Sequence, residues 1–181
     1  HVWAIINNEK VTGITAHLID STCDTGDILK QMAISINPDD TGDTILNKFK
    51  KSYFSIINEV LIDVKNNSIS IEKQDETKAT YFGKRTPEDG LINWHWHKER
   101  IKNWIRAQSH PYPGAFTFYE GDIIIIDKIK FSQKGFHAET ENGTIISNQP
   151  LLVKTPNGVI EILKIRNYPI DKITKGGKFN L

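Results

Sequence analysis

The sequence has a single cysteine, Cys23. A lone cysteine excludes a disulfide within the chain and a cysteine-rich zinc site. Methionine is just as scarce: Met32 is the only one, and the chain opens on His1. An unprocessed protein starts with methionine, so the expectation is a fragment, a processed product, or a chain whose true beginning lies upstream. Apolar runs are short. Ile123 to Ile126 is far below the length of a membrane span. No signal-peptide pattern and no internal repeat is visible. Neither sign of charge is in surplus, because 23 basic and 22 acidic residues leave a formal net charge of +1. A dedicated nucleic-acid binder usually carries a basic excess, so that class is disfavoured.

What is present suits a folded protein. Hydrophobic residues make up 38% and charged residues 25% of the 181 positions. That composition supports a packed core, and the length suits one domain or a domain and a half. A cytoplasmic home is compatible with this cysteine usage.

Local patterns divide the chain. Val2 to Ile6 reads as the end of a helix, Thr12 to Ile19 as a strand and Leu29 to Ile36 as another. Pro38-Asp39-Asp40-Thr41 starts a helix, since Asp or Thr caps the first free N–H groups. Ile45, Phe49, Tyr53, Ile56, Ile57, Val60, Leu61 and Val64 then recur at spacings of three and four. This predicts an amphipathic helix facing a core and ending at Asn66-Asn67. Ile69 and Ile71 suggest a short strand. Gln74 to Gly90 turns polar and reads as a linker. A helix over Lys98 to Gln108 follows, and His110-Pro111-Tyr112-Pro113-Gly114 ends it. Five strands are then expected at Ile123–Phe131, Phe136–Thr140, Thr144–Ile146, Leu151–Lys154 and Val159–Ile165. Asn142-Gly143 and Asn157-Gly158 supply tight turns between some of them. Short strands so spaced suggest a small barrel.

The chemistry concentrates in the segment HLIDSTCDTGDIL, residues 17 to 29. Asp20, Asp24 and Asp27 crowd into a loop between two strands, and loops at strand ends are where α/β sheets bind ligands. A carboxylate there can accept a proton, position water or hold a cation, and Gly26 lets the backbone come close to a neighbour. The bland alternative is a polar loop whose aspartates make Asx-turns. A calcium loop fits poorly, because the carboxylate spacing does not follow the EF-hand and no bidentate Glu follows. His17, on the strand leading in, reads by itself as a hydrogen-bonded core histidine. His95 and His97 would share a side of an extended segment, but no third ligand has a natural spacing, so no metal is implied. Trp3, Trp94, Trp96 and Trp104 read as packing residues rather than a base-stacking platform. Cys23 beside Asp24 is a poor nucleophile, since adjacent carboxylates raise a thiol pKa.

Several blocks in order resemble the folate-dependent formyltransferases. They are Thr12-Gly13-Ile14-Thr15-Ala16-His17, then Asp20 and Asp24-Thr25-Gly26-Asp27-Ile28-Leu29. Tyr81-Phe82-Gly83-Lys84-Arg85-Thr86-Pro87-Glu88-Asp89-Gly90 follows, then Ile105-Arg106-Ala107 and Pro111-Tyr112-Pro113-Gly114-Ala115-Phe116. The resemblance covers roughly Thr12 to Phe116. It implies an α/β plus β fold: the C-terminal portion of a Rossmann-like formyltransferase domain over residues 1–82, a linker with one helix over 83–114, and a small OB-like β-barrel over 115–181. It implies transfer of a formyl group from 10-formyltetrahydrofolate, as cosubstrate, to a primary amine. The catalytic aspartate of the family falls on Asp24, with His17 as a second catalytic candidate. Cys23, Asp24, Thr25 and Gly26 are the implied folate contacts. The family's Asn-x-His segment, which supplies oxyanion donors and precedes a Ser-Leu-Leu-Pro loop, lies in the family upstream of the position that matches His1, so this stretch alone is expected to be inactive.

The acceptor amine is the open point. The Gly83–Gly90 and Pro111–Phe116 blocks look most like nucleotide-sugar N-formyltransferases, including those acting on 4-amino-4-deoxy sugars. Tyr81, Arg85, Arg106 and Tyr112 are then the substrate-binding candidates, since guanidinium groups fit a diphosphate and the aromatic rings can pack on base or sugar. Each of the four reads equally as a salt bridge or packing residue at the domain seam. The transfer-RNA branch would call for a basic barrel. From Phe118 onward there are nine basic and seven acidic residues, a small surplus. A nucleotide-linked amino sugar is therefore the favoured substrate partner, and nucleic acid is disfavoured unless the transfer-RNA reading holds. No membrane partner is expected, and a homodimer is open. A different class, an OB-like binding or dimerisation module without catalysis, is the remaining alternative.

Overall fold

Capping and turn chemistry set where each element begins. In the computed structural model, which describes residues 1–180, a short helix α1 (Val2–Ile6) leads to strands β1 (Val11–His17) and β2 (Ile28–Ser35). The strands pair antiparallel from Val11↔Ser35 to His17↔Ile28, with a slip in register after Ala16. Helix α2 (Gly42–Lys65) starts from a reciprocal cap. The Thr41 hydroxyl accepts from the Thr44 N–H, and the Thr44 hydroxyl accepts from the Thr41 N–H. Two otherwise unpaired donors are thereby satisfied.

The apolar stripe of α2 is only partly used. Ile45, Phe49 and Ile56 are buried, whereas Tyr53, Ile57, Leu61 and Val64 are 46 to 59% exposed. This corrects the expectation that all eight periodic residues face a core. The helix lies on β1, β2 and, near its start, helix α3 (Lys98–Gln108). Two strands are only about 10 Å wide, enough to cover one narrow stripe of a helix. The strand expected around Ile69 and Ile71 is also absent. Both side chains are exposed, and only a single bridge, Ile28↔Glu72, forms nearby.

The linker holds two 3₁₀ turns, Glu76–Lys78 and Pro87–Gly90. Helix α3 matches its predicted span, and it is unusually enclosed. Ile101 and every residue from Asn103 to Gln108 are buried. It packs against α1 and α2 on one side and against strands of the second sheet on the other.

That sheet contains β3 (Ala115–Tyr119), β4 (Asp122–Ser132), β5 (Ile145–Asn148), β6 (Leu151–Thr155) and β7 (Gly158–Arg166), in the order β3-β4-β7-β6-β5. All neighbours are antiparallel. Glu120 and Gly121 take φ of 51° and 91° between β3 and β4, the left-handed pair a two-residue hairpin turn needs. Two sequence expectations fail here. Phe136–Thr140 is a loop, not a strand: the Thr140 N–H turns back to the His137 carbonyl, and the Phe136 ring lies 5.0 Å from Lys154 Nζ. Conversely, β3 was unanticipated, because its alternation of buried Ala115, Thr117 and Tyr119 begins inside the Pro-Gly-Ala-Phe block.

The five strands form an open ladder, so the expected barrel does not close strand on strand. Residues 177–180 lie between the two edges instead. Asn180 exchanges backbone hydrogen bonds with Phe118 at 2.9 and 3.2 Å, while the Phe179 N–H reaches the Gly143 carbonyl and the Ile145 N–H reaches that of Gly177. Gly143 sits at φ 84°, and a Cβ there would come within 2.6 Å of the Phe179 carbonyl. Trp94 stacks on Phe179 at 5.3 Å and donates its indole N–H to the Thr117 hydroxyl. One continuous apolar cluster links both sheets through α3.

The start of α2 carries a buried charge with a testable signature. The Asp40 carboxylate accepts from the Asn37 N–H, the Thr44 hydroxyl and Lys48 Nζ. Burial pushes its pKa up, but these donors outweigh burial and hold it below its ordinary 3.8. A folded value below the unfolded one means stability present above about pH 4 and lost as pH falls through the folded pKa. Asp40→Asn is expected to flatten that acid limb and to cost about 1–3 kcal/mol at neutral pH. Urea unfolding between pH 3 and 7 checks both.

Candidate active site

The loop between β1 and β2 divides its aspartates between two jobs. Asp20 is structural. Its carboxylate accepts from the Thr22 N–H at 2.9 Å, the Thr22 hydroxyl at 3.1 Å and the Thr25 hydroxyl at 2.9 Å. The Thr22 N–H, then the Thr25 hydroxyl, hold its pKa below the usual carboxylate value. The Asx-turn reading is thus right for Asp20. Asp24 is different. Its side chain is 87% exposed and has one ion-pair contact among the described residues, His17 Nε2 at 3.7 Å. Its backbone takes φ 62°, the left-handed region that a non-glycine residue enters only when its surroundings hold it there.

Three further contacts hold the loop. The Leu18 N–H donates to the Asp27 carbonyl at 2.9 Å, closing its base. Gly26 is buried against that base, and a Cβ would fall 1.7 Å from the Leu18 carbonyl. The glycine is therefore required for close packing within the loop. The third contact is long-range: the Gln74 amide donates to the carbonyls of Asp24 at 2.9 Å and Gly26 at 2.7 Å. Nothing in the sequence pattern pointed to Gln74, which lies 50 residues downstream of Asp24.

His17 has a defined tautomer. Its Nδ1 lies 2.7 Å from the Leu18 carbonyl, which only accepts, so Nδ1 carries a proton. Nε2 faces Asp24. A neutral ring would present a bare lone pair to the carboxylate, so attraction requires the doubly protonated form.

The loop thus brings together His17, Cys23, Asp24, Thr25 and Gly26, and Cys23 is exposed. The substrate candidates are more scattered. Arg85 and Tyr112 line one largely apolar cavity of about 410 Å³, together with His1, Trp3 and Gln108. Arg85 donates to the Gln108 side-chain oxygen at 2.5 Å and lies 4.9 Å from the Trp104 ring. Tyr112 meets His1 Nε2 at 2.6 Å. Tyr81 stands apart, 84% exposed. Arg106 is buried, and its guanidinium is spent on the Asp40 carbonyl at 2.6 Å, the Asn37 carbonyl at 3.3 Å and Asn103 Oδ1 at 2.9 Å. It is a junction residue in this structure. No loop residue lines the cavity of Arg85 and Tyr112. Among the described residues no group of three or more His, Cys, Asp and Glu is placed to hold a metal, and none of the helices is long and apolar enough to cross a membrane.

Comparison with known proteins adds a family frame. The model of the formyl transferase C-terminal domain matches residues 84–175, and the formyl transferase model matches residues 1–61. The chain is 37% identical over 161 residues to the bifunctional polymyxin resistance protein ArnA of Wigglesworthia glossinidia brevipalpis, covering 89% of this chain and 24% of that protein. It is 37% identical over 164 residues to the methionyl-tRNA formyltransferase of Caldanaerobacter subterraneus subsp. tengcongensis, covering 91% and 52%. The chain therefore spans about half the length of these curated relatives, or less. Among solved structures, the sugar 3N-formyl transferase WlaRD, determined in the presence of dTDP and 5-N-formyl-THF, superposes with a TM-score of 0.62 at 24% identity, over 93% of this chain and 60% of that one. At that identity the likeness is one of fold.

Gly26→Ala tests the loop geometry directly. The added methyl meets a backbone carbonyl that cannot yield, so the loop base must open. The expected outcome is a stability loss of about 1–3 kcal/mol and faster amide exchange across residues 20 to 27, read by denaturant unfolding and hydrogen exchange.

Proposed function

This chain belongs to the formyl transferase family, and from that premise we propose that it forms the Asp24-bearing part of a folate-dependent N-formyltransferase acting on a nucleotide-linked amino sugar. The observation that carries the reading is the division of labour in the loop. Asp20 is consumed by hydrogen bonds, while Asp24 is left exposed and held at a left-handed φ.

Asp24 would accept a hydrogen bond from the attacking amine. As the nitrogen bonds to the formyl carbon and becomes positively charged, the carboxylate would stabilise that charge and take the proton, directly or through water. His17, when doubly protonated, would pair with Asp24 and orient its carboxylate. 10-Formyltetrahydrofolate would supply the formyl carbon; the bond from that carbon to the folate nitrogen would break, and the departing nitrogen would take up a proton to leave as tetrahydrofolate. Cys23 and Asp24 are exposed and Thr25 is half-buried, and with Gly26 they would form one wall of the folate site, offering an acceptor carboxylate. They offer no donor set for an oxyanion, which in the family comes from an Asn-x-His segment. Groups that act as a unit do not retain activity in proportion to how many remain. Residues 1–181 alone are therefore expected to be inactive.

The sugar acceptor is supported by two features. Arg85 and Tyr112 share a cavity of about 410 Å³, in the size range of small-molecule sites. From Phe118 onward nine basic residues face seven acidic ones, a small surplus for a polynucleotide, and Lys130, Arg166 and Lys178 are paired with Glu161, Asp127 and Glu141. The transfer-RNA acceptor is the second reading, favoured by the 37% identity to a methionyl-tRNA formyltransferase.

The test is formyl transfer by the full-length protein, with 10-formyltetrahydrofolate and a panel of nucleotide-linked amino sugars set against methionyl-tRNA. Turnover of a sugar is expected, with Asp24→Asn lowering it about 10²–10⁴-fold. Turnover of transfer RNA alone would reverse the choice of acceptor. Full activity in Asp24→Asn would sink the assignment of Asp24.

A further inference from the structure

Asp24 and Gly26 depend on a group that lies outside their own loop. The Gln74 side-chain amide donates two hydrogen bonds into the loop backbone, at 2.9 Å to the Asp24 carbonyl and 2.7 Å to the Gly26 carbonyl. One nitrogen thereby spans the residue that carries the carboxylate and the glycine that seats the loop. The two bonds fix the carbonyls on both sides of Thr25, and so restrict the ψ of Asp24 as well as the path to Gly26.

Gln74 is itself held. Two residues before it, Glu72 exchanges backbone hydrogen bonds with Ile28, at 2.7 and 2.9 Å, which pins the start of the linker to the first residue of β2. One residue after it, the Asp75 carboxylate caps the next 3₁₀ turn through the Thr77 N–H at 3.1 Å and the Thr77 hydroxyl at 2.6 Å. The linker segment is thus anchored on both sides of the amide that reaches the loop.

The contact matters because of the backbone that it holds. A left-handed φ at a residue other than glycine costs about 1–3 kcal/mol unless the surroundings over-determine it. Exposed loops otherwise relax into more populated conformations. Asp20 braces the loop through Thr22 and Thr25, but neither contact touches the Asp24 backbone. Gln74 does.

We propose that Gln74 is the positioning residue for Asp24: by bonding the carbonyls of Asp24 and Gly26, it clamps the loop from the linker and sets the direction in which the Asp24 carboxylate projects. The proposal rests on the reading of Asp24 as the group that meets the amine. It makes the segment after α2 part of the reaction machinery without placing it in contact with substrate. It also couples the linker to the loop, so that movement of residues 72–75 would reach Asp24 directly.

The experiment compares Gln74→Glu, which keeps size and removes both donors, with Gln74→Lys, which restores donors at similar reach. Gln31→Leu, on the opposite strand of the hairpin, serves as the control. Amide exchange of residues 20–27 is measured in the 181-residue chain. The values of kcat and KM are measured in the full-length protein. Gln74→Glu is expected to speed loop exchange at least tenfold while leaving the hairpin protected. It should lower kcat about a hundredfold, the scale of a small misplacement of a catalytic group, with both KM values within twofold. Gln74→Lys should recover most of kcat. Unchanged loop exchange in Gln74→Glu overturns the clamp. A loss of kcat that Gln74→Lys does not restore, accompanied by a matching loss of thermal stability, overturns the positioning role. If the wild-type full-length protein transfers no formyl group, the functional reading fails, and the exchange measurement alone decides whether Gln74 holds the loop.

Discussion

The buried guanidinium of Arg106 holds the molecule's two sheets in one body. It donates to the carbonyls of Asp40 and Asn37, just ahead of α2, and to the Asn103 side chain on its own helix. Removing a cation from water is costly, and burial lowers its pKa, yet these three acceptors satisfy it without a carboxylate in direct contact. The carboxylate of Asp40 is bonded instead to Lys48 and to the turn at Asn37. Charge and backbone are thereby interleaved at a single corner. Helix α3 is fixed against the start of α2, and the apolar faces of both sheets close over α3. Ile101 and Ile105 are almost fully buried there, as are Ile5 of α1 and Ile126 of β4.

This arrangement explains why the linker is more than a tether. Its Arg85 lies near the rings of Trp3 and Trp104 and bonds to Gln108, so residues from α1, the linker and α3 meet around one side chain. Its Gln74 reaches back to the loop between β1 and β2. A polar, glycine- and proline-containing segment therefore reaches both the cavity and the loop. Polar side chains suit that task, because each bond they make has a direction, whereas apolar packing fixes only proximity.

The loop shows how one residue type serves opposite ends. Asp20 and Asp24 are four positions apart in a segment of like composition. Asp20 meets hydroxyl and N–H donors and becomes part of the frame. Asp24 sits at a left-handed backbone position and its carboxylate stays exposed to solvent. Residue identity does not separate the two. The backbone path does, and that path is held by Gly26 packing on Leu18 and by an amide from the linker.

The sequence by itself determined the local features. Period marked α2 and α3, the caps and prolines marked their ends, and short apolar runs set off by turn residues marked β1, β2, β4, β6 and β7, because these depend on neighbours within a few residues. The ordered blocks around Asp24 and Gly83 to Gly90 marked the family for the same reason, since they lie in the chain as written. Only the tertiary structure decided what those elements meet. Nothing local said that the apolar side of α2 would be covered on just one stripe, that Phe136–Thr140 would leave the sheet, or that Arg106 would be spent on carbonyls. Each outcome turns on partners tens of residues away, and side-chain pattern carries no record of which distant surface arrives. Gln74 is the clearest instance: a glutamine in a polar linker has no period and no motif, and its two hydrogen bonds exist only because folding brings the linker to the loop.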